Sequence, residues 1–129
     1  MHSWELLALE LSVVLFIAHV VIQAALARGE FGDAYLLSPR DEQRAVKGAV
    51  AARAERALRN FVENYGAFVA VDLGLIATGQ TGGWGAMLWL LARLAYLAAY
   101  LAGVPVLRTA CWTLALVGLL MMLWRLAGF

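Results

Sequence analysis

A band of polar side chains at the start of an apolar stretch is the part of the chain best equipped for chemistry. It comprises Arg53, Arg56, Arg59, Asn60 and Glu63. At about 100° per residue in a helix, these five residues fall within one stripe of about 120°. Ionisable groups beside hydrocarbon are costly, and they usually face a bundle interior or a watery cavity, where they mark functional sites. The alternative is a basic flank that only orients the span, with Glu63 neutralising one arginine.

A second polar face lies further along the chain. Arg93, Tyr96 and Tyr100 share one side of a predicted helix, and Arg108 follows just after the next turn. If the two helices cross the membrane in opposite directions, Tyr100 and Arg108 lie at the level of Asn60 and Glu63. Tyr96 then lies about one turn deeper. The two faces are therefore predicted to form one pocket.

The residue types in this predicted pocket suit a zwitterionic, peptide-like ligand. Arginine binds carboxylates through paired hydrogen bonds, Glu63 can accept from an ammonium group, and Asn60 can both donate and accept. A tyrosine hydroxyl or a guanidinium near the reacting atom can also favour a thiolate, the nucleophilic form of a thiol. Tyr96, Tyr100 and Arg108 are the candidates for that role.

Composition restricts the fold class. The chain has 129 residues, of which 64% are hydrophobic and 15% are charged, and its mean hydropathy is +0.77. Four apolar stretches, at about 4–27, 61–78, 86–104 and 107–124, each approach the roughly 20 residues that span a bilayer as a helix. They lack the alternation of a membrane barrel. We therefore predict an all-α integral membrane protein, a four-transmembrane-helix bundle that forms one domain over residues 1–129.

The basic residues indicate the orientation of the spans. Cytoplasmic loops are enriched in Lys and Arg, and seven of the ten basic residues lie between the first and second stretches. We expect this loop and the pocket to be cytoplasmic, in an up-down topology with both termini on the opposite side. The seven are Arg28, Arg40, Arg44, Lys47, Arg53, Arg56 and Arg59. The net charge of +1 gives no electrostatic case for nucleic acid.

Local signals predict the helix ends. Gly29 suits the C-terminal end of the first helix. Ser38 and Pro39 have the character of a short helix start, as N-cap and first helical residue. The alanine-rich segment that follows predicts a second helix that begins near Val50 and continues through the arginine band into the membrane.

Several polar and aromatic residues fall outside the predicted pocket. Asp72 lies on the opposite side of its helix from the band, so we predict a buried ion pair of Arg93 with Asp72 or Glu10. His19 has no second histidine or cysteine at metal-ligand spacing, so a structural hydrogen bond is expected rather than a metal site. An aromatic belt at the outer ends of the spans is predicted from Trp4, Trp84, Trp89 and Trp124.

The ordered set of polar residues resembles the family of membrane-associated proteins in eicosanoid and glutathione metabolism (MAPEG), which includes the microsomal glutathione transferases. The resemblance rests on the pattern Arg-x-x-Arg-x-x-Arg-Asn-x-x-Glu over residues 53–63 and on the later Arg93, Tyr96, Tyr100, Pro105 and Arg108. It covers nearly the whole chain. It implies a homotrimer that binds glutathione as cosubstrate in cytoplasmic-side clefts between subunits. We expect a multi-pass protein of a bacterial inner membrane.

The resemblance also implies roles for individual residues. Arg108 or Tyr100 would stabilise the glutathione thiolate, which would attack hydrophobic electrophiles or reduce lipid hydroperoxides that enter from the bilayer. The positions implied to contact glutathione are Arg28, Arg53, Arg56, Arg59, Asn60, Glu63, Tyr96, Tyr100 and Arg108. The resemblance also offers Glu63 as an alternative partner for Arg93.

Two departures leave other functions open. Leu58 stands where many family members have a histidine or another polar residue, and Asn64 follows Glu63. One alternative is a lipid-binding or scaffold protein of the same fold without catalysis. Another is a small proton-coupled multidrug transporter, because Glu10 provides an acidic residue in the first helix. The arginine band argues against the transporter.

Overall fold

The computed structural model describes residues 3–129, so the first two residues of the predicted domain lie outside the described part. Four helices follow one another: α1 (Trp4–Leu36), α2 (Ala49–Thr78), α3 (Gly85–Ala102) and α4 (Pro105–Leu126). Each is long and apolar enough to cross a membrane. The prediction of four membrane-spanning helices is confirmed.

The first helix is longer than predicted. It continues past Gly29 to Leu36, and Gly32 interrupts the helical backbone geometry with φ +76°. The prediction of a helix start at Ser38 is wrong, because the Ser38 hydroxyl donates to the Tyr35 carbonyl (2.6 Å) and so closes the end of α1 instead. The predicted start of α2 near Val50 agrees with the observed start to within one residue.

Polar contacts join α1 to α2 and to the loop that follows α2. Glu5, only 3% exposed, accepts hydrogen bonds from the Thr81 hydroxyl (2.7 Å) and the Gly82 backbone N–H (2.8 Å). Further along α1, the hydroxyls of Ser12 and Tyr65 lie 2.9 Å apart. These contacts satisfy buried polar groups that lipid would leave without partners.

The core is a column of aromatic rings between α2 and α3. The Phe68 and Trp89 rings stack with centroids 3.8 Å apart, and Phe61 and Tyr65 extend the column. Trp89 is therefore a core residue, and its predicted place in an aromatic belt is wrong, whereas Trp4, Trp84 and Trp124 are exposed. Aromatic pairs of this kind stabilise a bundle beyond the area that they bury.

Helices α3 and α4 approach closely at two glycines. A Cβ atom on Gly118 would lie 2.7 Å from the Gly85 carbonyl oxygen and 2.8 Å from the Trp89 backbone nitrogen. Small residues allow such backbone contact between membrane helices. The turn between the two helices is equally tight, because Gly103 ends α3 in the left-handed conformation and Pro105 is the first residue of α4.

Two predictions about buried polar residues are wrong. Arg93 forms no ion pair with Asp72 or Glu10 among the described residues: Asp72 is fully buried without a hydrogen-bond partner there, and Glu10 is exposed. The His19 ring nitrogens likewise have no hydrogen-bond partner within residues 3–129, and the ring packs on Phe61 with centroids 4.7 Å apart.

Candidate functional site

Three helices converge where α3 turns into α4. Tyr100 lies in the last turn of α3 and Arg108 in the first turn of α4, so the tight turn at Gly103 brings them to the same end of the bundle. The N-terminal half of α2 passes beside this turn and contributes Arg53 and Arg56. The Tyr100 face therefore meets Arg53 and Arg56 of the arginine band, about one turn earlier on α2 than Asn60 and Glu63, the level that was predicted.

The Tyr100 ring is the centre of this cleft. Arg56 Nε donates to the Tyr100 hydroxyl over 3.2 Å. The Arg108 guanidinium carbon lies 5.0 Å from the ring centroid, within the range of a cation–π contact. Two cations therefore approach one tyrosine, one at its hydroxyl and one at its ring.

The cleft is small and cationic. Its volume is about 130 Å³, and its lining includes three arginines and no carboxylate. Guanidinium groups that are not neutralised by a neighbouring acid attract an anion such as a carboxylate or a thiolate. The lining residues are Arg53, Arg56, Ala99, Tyr100, Gly103, Val104, Pro105 and Arg108.

Arg53 is held against the turn. Its Nη1 atom donates to the Leu101 carbonyl (3.4 Å), and a Cβ atom on Gly103 would lie 2.6 Å from its guanidinium carbon. Gly103 also has φ +74°, where residues with a side chain are strained. Glycine is thus required here both for the backbone conformation and for the space that Arg53 occupies.

Arg93 connects this cleft to Asn60. It is 1% exposed, its Nη1 donates to the Asn60 side-chain oxygen over 2.9 Å, and its guanidinium carbon lies 4.3 Å from the centroid of the Tyr96 ring. Tyr96 in turn contacts Tyr100 edge to face, with centroids 5.5 Å apart. A continuous line of contacts therefore runs from Asn60 to the centre of the cleft.

The remaining predicted site residues lie away from Tyr100 in the single chain. Arg28 pairs with Asp33 (2.7 Å) on the exposed side of α1. Arg59 lies 3.6 Å from Glu55, one turn earlier on α2, and both are solvent-accessible. Glu63 is exposed and has no hydrogen-bonding or ion-pairing partner among residues 3–129.

Sequence reasoning missed two features. Arg93 was predicted on the same face as Tyr96 and Tyr100, but with an acid as its partner rather than the Asn60 side chain. The first loop also folds over a groove of about 460 Å³ between α1 and α2, whose lining includes Arg40 and Arg44. No local pattern in the loop indicated this groove.

Tertiary contacts hold the loop over that groove. The Tyr35 hydroxyl accepts from the Arg44 backbone N–H (2.7 Å), and the Arg44 guanidinium lies over the Tyr35 ring. Arg44 also donates to the Glu42 carboxylate, which lowers the pKa of Glu42 from its ordinary value. The acid of this exposed pair is therefore ionised at neutral pH.

Comparison with known proteins gives one match. The family model described as the MAPEG family matches residues 6–128, nearly the whole chain. No curated protein and no solved structure matches the chain. Every residue of the cleft, and every residue predicted to contact the ligand, lies within the matched range.

Proposed function

Because the chain belongs to the MAPEG family, we propose that it is a glutathione-dependent membrane transferase or peroxidase that acts on hydrophobic electrophiles or lipid hydroperoxides. Family membership and the four apolar helices establish an integral, multi-pass membrane protein of a family whose members act broadly in glutathione and eicosanoid metabolism and generally use glutathione. The specific reaction and the roles of the residues are our proposal.

One observation carries this proposal: Arg56 and Arg108 both approach Tyr100 in a cleft without carboxylates. A thiol placed there meets a hydroxyl donor and two guanidinium groups, all of which favour the thiolate. The guanidiniums also match the carboxylates of a tripeptide. We assign thiolate stabilisation to Arg108 and Tyr100, and carboxylate binding to Arg53 and Arg56.

The proposed site is completed by a second subunit. Binding pockets for small molecules have volumes of roughly 300–1,000 Å³, and this cleft of about 130 Å³ is smaller. Arg28, Arg59 and Glu63 are exposed on the single chain, where a neighbouring subunit of a homotrimer can bring them to the ligand. Glu63 then accepts from the glutathione ammonium group.

The orientation in the membrane follows from the charges. The basic first loop and the cleft face the cytoplasm, in an up-down bundle with both termini on the other side. As a separate part of the proposal, the membrane is a bacterial inner membrane. Glutathione enters from the aqueous side. The second substrate is apolar and enters from the bilayer, along the lipid-facing surfaces of α3 and α4.

In the proposed transfer, the glutathione thiol releases its proton to water, and the thiolate attacks an electrophilic carbon. A carbon–sulfur bond forms, and the displaced electron pair leaves with the leaving group or is protonated after addition to a double bond. In the peroxidase reaction, two glutathione molecules are oxidised to the disulfide while one hydroperoxide is reduced to an alcohol and water.

Thiolate formation in purified protein tests the proposal. Glutathione is added to the protein in detergent, and ultraviolet absorbance and proton release are recorded. We expect saturable thiolate in the wild type and in Arg125→Ala, which removes an exposed arginine at the far end of α4, but none in Arg108→Ala. Binding without thiolate in the wild type would instead support a non-catalytic lipid-binding protein of this fold. Absence of glutathione binding would refute the proposal.

A further inference from the structure

We propose that Arg93 is a positioning residue that fixes the orientation of the Asn60 side-chain amide. In this orientation Asn60 can donate a hydrogen bond to the ligand but cannot accept one, so Asn60 selects a carboxylate group. This inference rests on the proposed binding of glutathione and specifies how one part of that site recognises its ligand.

Hydrogen-bond chemistry determines which Asn60 atom faces Arg93. A guanidinium carries five donors and no acceptor, so the Asn60 atom 2.9 Å from Arg93 Nη1 must be the carbonyl oxygen. The amide nitrogen, with its two N–H groups, then faces away from Arg93. Turning the amide over would place two donors against each other.

Burial makes this orientation costly to reverse. Arg93 is 1% exposed, and its Nε and Nη2 atoms have no hydrogen-bond partner among residues 3–129. The bond to Asn60 is therefore important for solvating this guanidinium, and a buried charge without partners is strongly unfavourable. Arg93 cannot turn away easily either, because its guanidinium lies over the rings of Phe61 (5.3 Å) and Tyr96 (4.3 Å).

Asn60 is partly exposed, and it lies on the face of α2 that carries the cleft. Asn60 lies one turn after Arg56, and residues four apart in a helix are neighbours on one face. Arg56 lines the cleft and donates to Tyr100. Neighbouring Asn64 does not compete for the side chain, because its own amide donates to the Asn60 backbone oxygen (2.7 Å).

A donor at this point prefers a carboxylate oxygen of glutathione to its ammonium group. If Asn60 were free to turn, its oxygen would serve the ammonium group equally well. The two possibilities make opposite predictions for Asn60→Asp. An aspartate keeps a partner for Arg93, but it offers no N–H to the ligand and repels a carboxylate.

The test measures glutathione affinity and thermal stability together for Asn60→Asp. We expect a melting temperature no lower than that of the wild type, because Arg93 gains a charged partner. We also expect a glutathione Kd weaker by about 10- to 150-fold, as for loss of one hydrogen bond to a charged group. The control is Gln80→Glu, which adds the same charge at an exposed position beyond the far end of α2, and it should change Kd by less than about 3-fold, as expected for a screened charge in water.

A second pair of variants keeps the proposal testable if Asn60→Asp does not fold. Arg93→Lys remains a pure donor and should preserve the preference for glutathione over its diethyl ester, in which both carboxylates are blocked. Arg93→Gln can donate or accept, so it should release the Asn60 amide and reduce that preference. A purely structural role for Arg93 would weaken the binding of both ligands alike.

The proposal is overturned if Asn60→Asp binds glutathione as tightly as the wild type, or if the acid-to-ester preference is equal in Arg93→Lys and Arg93→Gln. A wild-type protein that does not bind glutathione would refute the proposed function instead. The two failures are therefore distinguishable in the same experiment.

Discussion

Gly103→Ala offers the sharpest test of how the turn shapes the cleft. The substitution has two separate effects. Gly103 has φ +74°, where an added Cβ atom costs roughly 1–2 kcal/mol. The new Cβ would also lie 2.6–2.8 Å from three atoms of the Arg53 guanidinium, so that group must shift from its present position.

Gly79→Ala is a matched control for the first effect alone. Gly79 ends α2 in the same left-handed conformation, with φ +66°, but a Cβ atom there would have no neighbour within 4 Å. Both variants should therefore lose roughly 1–2 kcal/mol of folding free energy. Displacing Arg53 adds little to that loss, because the guanidinium is the far end of a flexible side chain.

The two variants should differ in ligand binding. If Arg53 binds a carboxylate of glutathione, displacing it removes a charge-assisted hydrogen bond worth roughly 1.5–3 kcal/mol, or about 10- to 150-fold in Kd. Isothermal titration in detergent measures Kd, and thermal unfolding measures stability. Equal glutathione affinity in Gly103→Ala and Gly79→Ala would refute the assignment of Arg53 to the ligand.

Three further predictions concern stability. Gly118→Ala should prevent correct packing of α3 on α4 and cost more than about 3 kcal/mol, because its Cβ would overlap backbone atoms that cannot move aside. Glu5→Ala should cost about 1–3 kcal/mol, because it leaves a buried backbone N–H without an acceptor, whereas Glu5→Gln retains an acceptor and should cost less. Asp72→Asn should leave the melting temperature unchanged or higher, because it replaces a fully buried carboxyl group that has no hydrogen-bond partner within residues 3–129.

Thermal unfolding in detergent checks all three predictions, and each has a result that contradicts it. Gly66→Ala is the control for Gly118→Ala, because a Cβ atom at this helical glycine has no neighbour within 4 Å and should be tolerated. Equal losses of stability in Glu5→Ala and Glu5→Gln would show that the buried Gly82 N–H does not need position 5 as its hydrogen-bond acceptor. A large loss in Asp72→Asn would show that the carboxyl group has a stabilising partner.

Much of the candidate site could be predicted because it depends on helical periodicity. Residues three and four apart share a helix face wherever the helix packs, so the arginine band of α2 and the Tyr96–Tyr100 face of α3 were recognisable from spacing alone. The short segment after Tyr100 required Arg108 to return to the same end of the bundle. The structure brings Arg56, Tyr100 and Arg108 together, one turn of α2 away from the level of Asn60 and Glu63 that depth along the helices predicted.

The partners of the buried charges could not be predicted. Depth along a helix suggested that Arg93 pairs with Asp72 or Glu10, but depth does not determine which side chain faces which. Arg93 instead donates to Asn60 and packs on aromatic rings, and Asp72 is buried elsewhere in the bundle. The rotation of each helix about its axis decides such pairings, and that rotation depends on packing of the whole bundle.

Hydropathy and periodicity, which are local properties, thus determined the four spans and the polar faces of this protein. A hydrophobic stretch of membrane-spanning length must form a helix in lipid, because its backbone has no other hydrogen-bonding partners there. Only the tertiary structure decided that Trp89 is in the core, that Glu5 holds the loop after α2, and that Arg93 donates to Asn60. The hydrogen-bonded residues are far apart in the sequence, with a separation of 33 positions for Asn60 and Arg93 and of 77 positions for Glu5 and Gly82. Such contacts exist only once the helices have packed.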